Sequence, residues 1–191
     1  ALSYTTRVEW LPLGNFKENG DYVEGDLMYE EAPKLSIGAV YNYNKNASRV
    51  GGQQGKFLNN NETRDLTTYL ADMLLKYRGW AWTSEFAYRE ANNPVIDNTQ
   101  AVYAGRGFTT QLSHVFSNYW APGIRWTRIW AQNEILSVEN NRTQYTLGIT
   151  RYVQKHKIKL QADATYERME NPLLVIQRDN FMYRLQLELG I

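Results

Sequence analysis

The sequence predicts an all-β protein, specifically a transmembrane antiparallel β-barrel, from three observations. Apolar and polar residues alternate along segments of ten residues or more, the connections alternate between short and long, and aromatic residues gather toward both ends of the segments. The alternation is cleanest over residues 157–167, where Ile158, Leu160, Ala162, Ala164 and Tyr166 interleave with Lys157, Lys159, Gln161, Asp163, Thr165 and Glu167. A period of two sends these sets to opposite faces of a strand. No run approaches the 18 or so apolar residues of a membrane helix. The mean hydropathy of -0.57 would otherwise suggest a soluble chain. Barrel strands escape that test because their lipid-facing and lumen-facing residues average out as polar.

Eight further segments follow. Over 181–191, Phe181, Tyr183, Leu185, Leu187, Leu189 and Ile191 oppose Met182, Arg184, Gln186 and Glu188. Over 34–44, Leu35, Ile37, Ala39, Tyr41 and Tyr43 oppose Lys34, Ser36, Asn42 and Asn44, and over 80–89 Trp80, Trp82, Phe86 and Tyr88 oppose Thr83, Glu85 and Arg89. Residues 1–12 pair Leu2, Tyr4, Val8 and Trp10 against Ser3, Thr5, Arg7 and Glu9, and residues 65–77 pair Tyr69, Ala71, Met73, Leu75 and Tyr77 against Thr68, Asp72 and Lys76. Segments 106–116, 120–132 and 143–152 complete nine strands, most long enough for the roughly 9–11 residues of a tilted membrane strand.

Tight turns are expected at 77–79, 117–119 and 153–156, with long polar connections at 45–64, 90–105, 133–142 and 169–180. Barrels of the outer membrane have this asymmetry, with short periplasmic turns and longer extracellular loops. The 13–33 connection belongs on the short side yet is long, so extra structure is expected around 21–29. Trp10, Tyr77, Trp80, Phe116, Tyr119, Trp120 and Tyr152 fall beside the short turns, and Tyr43, Tyr69, Tyr88, Trp130, Tyr145, Tyr166 and Phe181 toward the long loops. Two interfacial girdles explain both sets.

With the apolar face toward lipid, the lumen receives the basic residues Arg7, Lys34, Lys76, Arg89, Arg125, Lys157, Lys159 and Arg184. It also receives the acidic residues Glu9, Asp72, Glu85, Asp163, Glu167 and Glu188. The basic set supplies candidate anion contacts, its arginines foremost, because forked donors match phosphate and carboxylate oxygens. A surplus of two positive charges is nevertheless close to no preference.

Other chemistries find little material. A net charge of +1 excludes a polybasic nucleic-acid binder, and the absence of cysteine removes disulfides, thiol catalysis and thiolate metal sites. Barrel proteases and phospholipases need a histidine. His114 falls on the lipid-facing phase and His156 in a short turn, so no catalytic residue is assigned. No cofactor, metal site or phosphate-cradling glycine loop is expected. Acidic and amide residues within 92–98 lack calcium-loop spacing. The tripeptides at 46–48, 61–63 and 141–143 match a glycosylation acceptor but read as loop composition.

The strings Arg7-Val8-Glu9-Trp10-Leu11-Pro12-Leu13-Gly14, Pro33-Lys34-Leu35-Ser36-Ile37-Gly38, Gln144-Tyr145-Thr146-Leu147-Gly148 and Met182-Tyr183-Arg184-Leu185-Gln186 resemble the C-terminal half of phosphate-selective porins O and P. The resemblance spans the chain. It implies the C-terminal portion of one porin domain of about 16 strands, in the bacterial outer membrane, in contact with lipid and lipopolysaccharide, trimeric or part of a larger assembly, and passing small hydrophilic solutes or anions. Two features depart from the family. The chain ends in Gly190-Ile191 rather than an aromatic residue, so the C-terminal insertion signal is Phe181, Tyr183, Leu185, Leu187, Leu189 and Ile191. The basic residues and inward-folded loop of the family's first half are missing, so phosphate selectivity does not carry over.

Three functions compete: a diffusion porin, a structural or docking barrel of a larger outer-membrane complex, and a soluble lipocalin-like or sandwich protein with its apolar face inward. Nine is an odd count, whereas bacterial single-chain barrels have even counts. The chain also opens at Ala1 in mid-strand without a signal peptide, so the expectation is a fragment with strands upstream.

Overall fold

The computed structural model describes residues 2–154 and 157–190. Ala1, His156 and Ile191, assigned above to a strand start, a turn and the insertion signal, lie outside the described residues. Among those residues, strands β1 (Leu2–Trp10), β2 (Lys34–Ala47), β3 (Arg64–Tyr77) and β4 (Trp80–Ala91) are followed by a small hairpin of β5 (Val95–Asp97) and β6 (Gln100–Ala101). Then come β7 (Gly105–His114), β8 (Trp120–Ala131), β9 (Asn141–Gln154), β10 (Ile158–Asn171) and β11 (Ile176–Leu189). All but β5 and β6 join one nine-stranded sheet in chain order, each strand antiparallel to its neighbours. The sheet is open, with β1 and β11 as its edges.

The registers keep every alternating set on one face. Ile37 faces Trp10 and Met73, Tyr69 faces Tyr41 and Tyr88, Leu147 faces Ile124 and Ala164, and Leu185 faces Ala162. A slip of one residue anywhere would mix the sets. At 78–79 the two-residue turn takes φ of 47° at Arg78 and 86° at Gly79, the doubly positive geometry whose twist matches the flanking strands.

The polarity of the sheet is inverted relative to a water-soluble fold. Its apolar face is exposed, reaching 81% at Tyr183 and 87% at Leu185, while Ser36, Asn44, Thr68, Thr146, Thr165 and Glu167 on the other face are buried. No second layer covers the apolar face among the described residues. Apolar packing occurs instead at the two ends of the sheet. Val50, Leu58, Leu66, Val102 and Ala104 cluster under the long loops, and Leu27, Val115, Ala121 and Tyr152 cluster beside the short turns.

The aromatic rows run along the exposed face, except that Tyr152, expected in the short-turn row, is buried with Leu27 and Val115 on the polar side. At the long-loop side Tyr69 contacts Tyr41 (5.5 Å between centroids) and Tyr88 (6.3 Å), Phe108 contacts Trp126 (5.7 Å), and Tyr166 contacts Tyr145 (6.4 Å) and Phe181 (5.2 Å). At the short-turn side His114 lies between Trp80 (4.6 Å) and Phe116 (4.7 Å). Eight residues separate Tyr88 from Trp80, about 26 Å along the strand.

One connection contradicts the sequence reading. Residues 169–180 form no long loop: β10 runs on to Asn171, residues 172–175 make the turn, and β11 starts at Ile176. The polar residues there prolong the ladder, with Arg168 donating to Asp179 across the strands at 3.1 Å. Asn171 closes the turn by accepting from the amides of Leu173 (3.1 Å) and Leu174 (3.0 Å). Alternation marks a strand only where its two faces differ in polarity, so a strand that continues with polar residues on both faces loses the signal. The first connection carries the extra structure expected of it, a 3-10 segment at Lys17–Tyr22 followed by a packed stretch at 25–30.

Candidate functional site

The polar face of the sheet collects the predicted lumen residues, and the structure sorts them into three groups. Cross-strand ion pairs take the largest share. Arg7 on β1 reaches over β2 to Asp72 on β3 with two bonds of 2.7 and 3.0 Å, Arg184 holds Asp163 at 2.8 and 3.2 Å, and Lys159 meets Glu188 at 3.0 Å. The Arg7–Asp72 bridge exists because residue 38 has no side chain: a Cβ there would lie 2.4 Å from Asp72 Oδ2 and 2.7 Å from Arg7 Nη2. Paired this way, each arginine has its donors committed to a carboxylate and presents little net charge to a solute.

A second group is tied to neutral partners. Ser36 donates to Glu9 at 2.7 Å, Gln144 to Glu167 at 2.7 Å, and Lys34 to the Leu13 carbonyl at 3.0 Å. Arg89 donates to Thr68 Oγ1 at 2.9 Å and to the Gly51 carbonyl at 3.2 Å. The latter contact brings residues 51–54 of the 48–63 connection over the long-loop end of the polar face.

Two positions differ from the expectation. Lys157 sits exposed in the short turn before β10, its amide bonded to the Gln154 carbonyl, so it belongs to the end of the sheet and not to the wall. Lys76 is 2% exposed and no solute reaches it. Its ammonium donates to the carbonyls of Gly20 (2.7 Å), Val23 (2.8 Å) and Gly25 (2.6 Å), three acceptors for three protons. Arg125 and Glu85 remain as wall charges to which no ion pair is assigned among the described residues. Arg125 borders a cavity of about 320 Å³ lined by Ser113, Thr146, Thr150, Gln161 and Glu24.

The caged lysine exposes what strand-by-strand reading misses: residues 11–33 fold back as a ledge against the polar face beside the short turns. Phe16, within it, is buried. Asp26, 1% exposed, accepts from the Gly79 amide at 2.7 Å and from the Glu30 amide at 3.1 Å. Glu30 accepts from the Lys17 amide at 2.6 Å, while its carbonyl accepts from the Arg78 amide at 2.9 Å. Tyr29 donates to the Val115 carbonyl, and burial, with Asp26 nearby, raises its hydroxyl pKa. The ledge thus runs past β3, the 78–79 turn and Val115 to Tyr152 on β9. Its signal in the sequence is compositional, six carboxylates within 18–31 facing lysines at the adjacent strand ends.

The expected insertion signal lies on one face of β11, where Phe181, Tyr183, Leu185, Leu187 and Leu189 are all exposed. His114 stands in the aromatic row, not beside a carboxylate. The Asp97 carboxylate is occupied by donors, Asn59 Nδ2 and the Thr99 amide and hydroxyl, each at 2.7 Å, and these bonds lower its pKa to about 2. The chain matches no protein-family model, and no curated protein or solved structure is recognisably similar to it.

Proposed function

We propose that this chain is part of an outer-membrane β-barrel whose polar face lines a water-filled pathway for passive diffusion of small hydrophilic solutes. The observation that carries the reading is the inverted polarity of the sheet: exposed Leu, Tyr and Trp on one face, buried hydroxyl, amide and ion-paired side chains on the other. Lipid is the solvent that suits the first face; the seven inner strands have their backbone paired on both sides as hydrocarbon requires, and the reading requires the outer edges of β1 and β11 to be paired as well. Aromatic rows about 26 Å apart along the strand project to roughly 18–22 Å across a wall tilted by 35–45°, so with their rings reaching outward they border an apolar band on the scale of the roughly 25 Å of such barrels. The outward neighbours are then lipid and, on the long-loop side, lipopolysaccharide. A homotrimer or larger assembly is compatible with the same face.

Phosphate selection does not follow from this wall. A ladder of free cations would be needed, and Arg7, Lys159 and Arg184 are paired with carboxylates while Lys76 is enclosed. The ledge favours one second reading, a scaffold or docking barrel with an obstructed end. Conductance of the intact protein in planar bilayers separates the two: stepwise current supports the pore, and a protein that inserts without current overturns it in favour of the scaffold.

A further inference from the structure

We infer that the pocket between the 51–54 turn and the long-loop end of the polar face is a binding site for neutral polyhydroxylated solutes, a sugar ring being the simplest fit. The inference rests on the pore reading, in which this face is the one that solutes meet, and names a solute class for it. The pocket has a volume of about 290 Å³, at the lower end of small-ligand pockets, which run from about 300 to 1,000 Å³. Its walls carry four side-chain amides, from Asn42, Asn44, Gln53 and Gln54, and one charge, Arg89. No carboxylate lines it. The cavity beside the short turns differs in kind, since there Arg125, Lys159 and Arg184 are mixed with Glu24, Asp163 and Glu188.

The chemistry of the walls selects the ligand. Arg89 spends two of its five N–H groups, on Thr68 Oγ1 at 2.9 Å and on the Gly51 carbonyl at 3.2 Å, and is assigned no carboxylate partner among the described residues. Three donors are left for a ligand. Acceptors stand in the same walls: Asn42 commits its nitrogen to Ser3 Oγ at 2.8 Å and Thr5 Oγ1 at 2.7 Å, which leaves its amide oxygen for an incoming donor. Asn44 is 4% exposed, and its Oδ1 has no hydrogen-bond partner. A fully ionised anion can accept from Arg89 but brings no proton to these oxygens, and a cation is repelled by the guanidinium. A hydroxyl group does both with one atom. Neighbouring hydroxyls on a ring also suit the paired N–H groups along one edge of a guanidinium.

The site is built before any ligand arrives. The turn over it is held by the amides of Val50, Gly51 and Gly52, which donate to the carbonyls of Lys56 (3.0 Å), Gln54 (3.0 Å) and Arg49 (2.9 Å). Gly52 takes φ of 90°, and a Cβ there would lie 3.1 Å from both Asn44 Nδ2 and Leu66 Cδ1, so glycine lets the turn come this close to the sheet. Walls fixed in advance spare a ligand the cost of ordering them.

The test titrates the intact protein in detergent with maltose and glucose, followed by saturation-transfer NMR, beside current recordings in planar bilayers. Both sugars should bind in the millimolar range, and neither sulfate nor phosphate should displace them. Arg89→Met should weaken binding at least about tenfold, as loss of a charged donor does. Gln53→Ala/Gln54→Ala alters two exposed side chains and should weaken it at least about twofold; should Arg89→Met fail to fold, this variant decides. No sugar signal, equal affinity in the variants, or displacement by either anion overturns the inference, and a current measured alongside leaves the pore reading standing. Sugar binding that the variants weaken, in a protein that passes no current, supports the site and overturns the pore reading alone.

Discussion

Ala162→Arg tests which face meets lipid. Ala162 lies on the exposed face of β10 between Ile149 on β9 and Leu185 on β11, four residues from Tyr166 in the aromatic row and four from the start of the strand at Ile158. That is about 13 Å along the strand from either end, the middle of the apolar band. A midplane arginine on a lipid-facing barrel position costs about 2–4 kcal/mol. The folding equilibrium in vesicles should therefore fall roughly 30- to 700-fold. The control is the adjacent residue on the other face: Gln161→Arg places the same side chain opposite Thr150 and Gln186 beside the cavity, where it stays hydrated and costs under about 0.5 kcal/mol. Asp163→Arg would be a poor control because it would meet Arg184 across the strand and abolish an ion pair. Urea titration of both variants in lipid vesicles, followed by tryptophan fluorescence, gives the two costs. Equal costs, or a larger one for Gln161→Arg, would refute the assignment of faces.

Gly38→Ala should break the Arg7–Asp72 bridge by steric overlap and lower stability by about 1–3 kcal/mol. The double variant with Asp72→Ala should regain most of that loss in the same titration, and failure to do so would place the cost in the backbone. Asp97 gives a pH response in the β5–β6 hairpin. Its carboxyl is held down to about 2, mainly by Asn59, so its contribution is complete above the unfolded value of about 3.9 and disappears as pH falls toward 2. Exchange of the Thr99 amide should accelerate over that window and lose its pH step in Asp97→Asn.

The nine strands of the main sheet were legible because their two faces differ chemically: Ile158 to Glu167 betrays its geometry without help from any neighbour. The alternation has no power where both faces meet water. That is why residues 169–180 read as a loop although Arg168, Asp179 and Asn171 build strand and turn there. The polar face was legible as a set of residues but not as a set of charges. Periodicity assigns Arg184 and Asp163 to one face, yet their neutralisation depends on the β10–β11 register, and the Arg7–Asp72 bridge depends on a glycine in the strand between them. The ledge was least legible of all. Its position is fixed by one lysine finding three carbonyls 51 to 56 residues earlier in the chain, and no local pattern encodes so distant a match.

Strand β11 makes the surrounding medium part of the stability of this molecule. Over 14 residues it offers an unpaired row of amides and carbonyls along one edge and a continuous stripe of Phe181, Tyr183, Leu185, Leu187 and Leu189 on one face. In water that combination is a template for another strand of the same kind, since a long apolar edge without proline or a bulge recruits cross-β partners. On the proposed membrane reading, handling outside a bilayer becomes a race between lipid or detergent capture and fibrillar association. Association rises with protein concentration, whereas capture does not. Dilution and early detergent addition should govern the yield of folded protein more than temperature does, and charges placed on the exposed positions of β11 should slow aggregation at the expense of insertion.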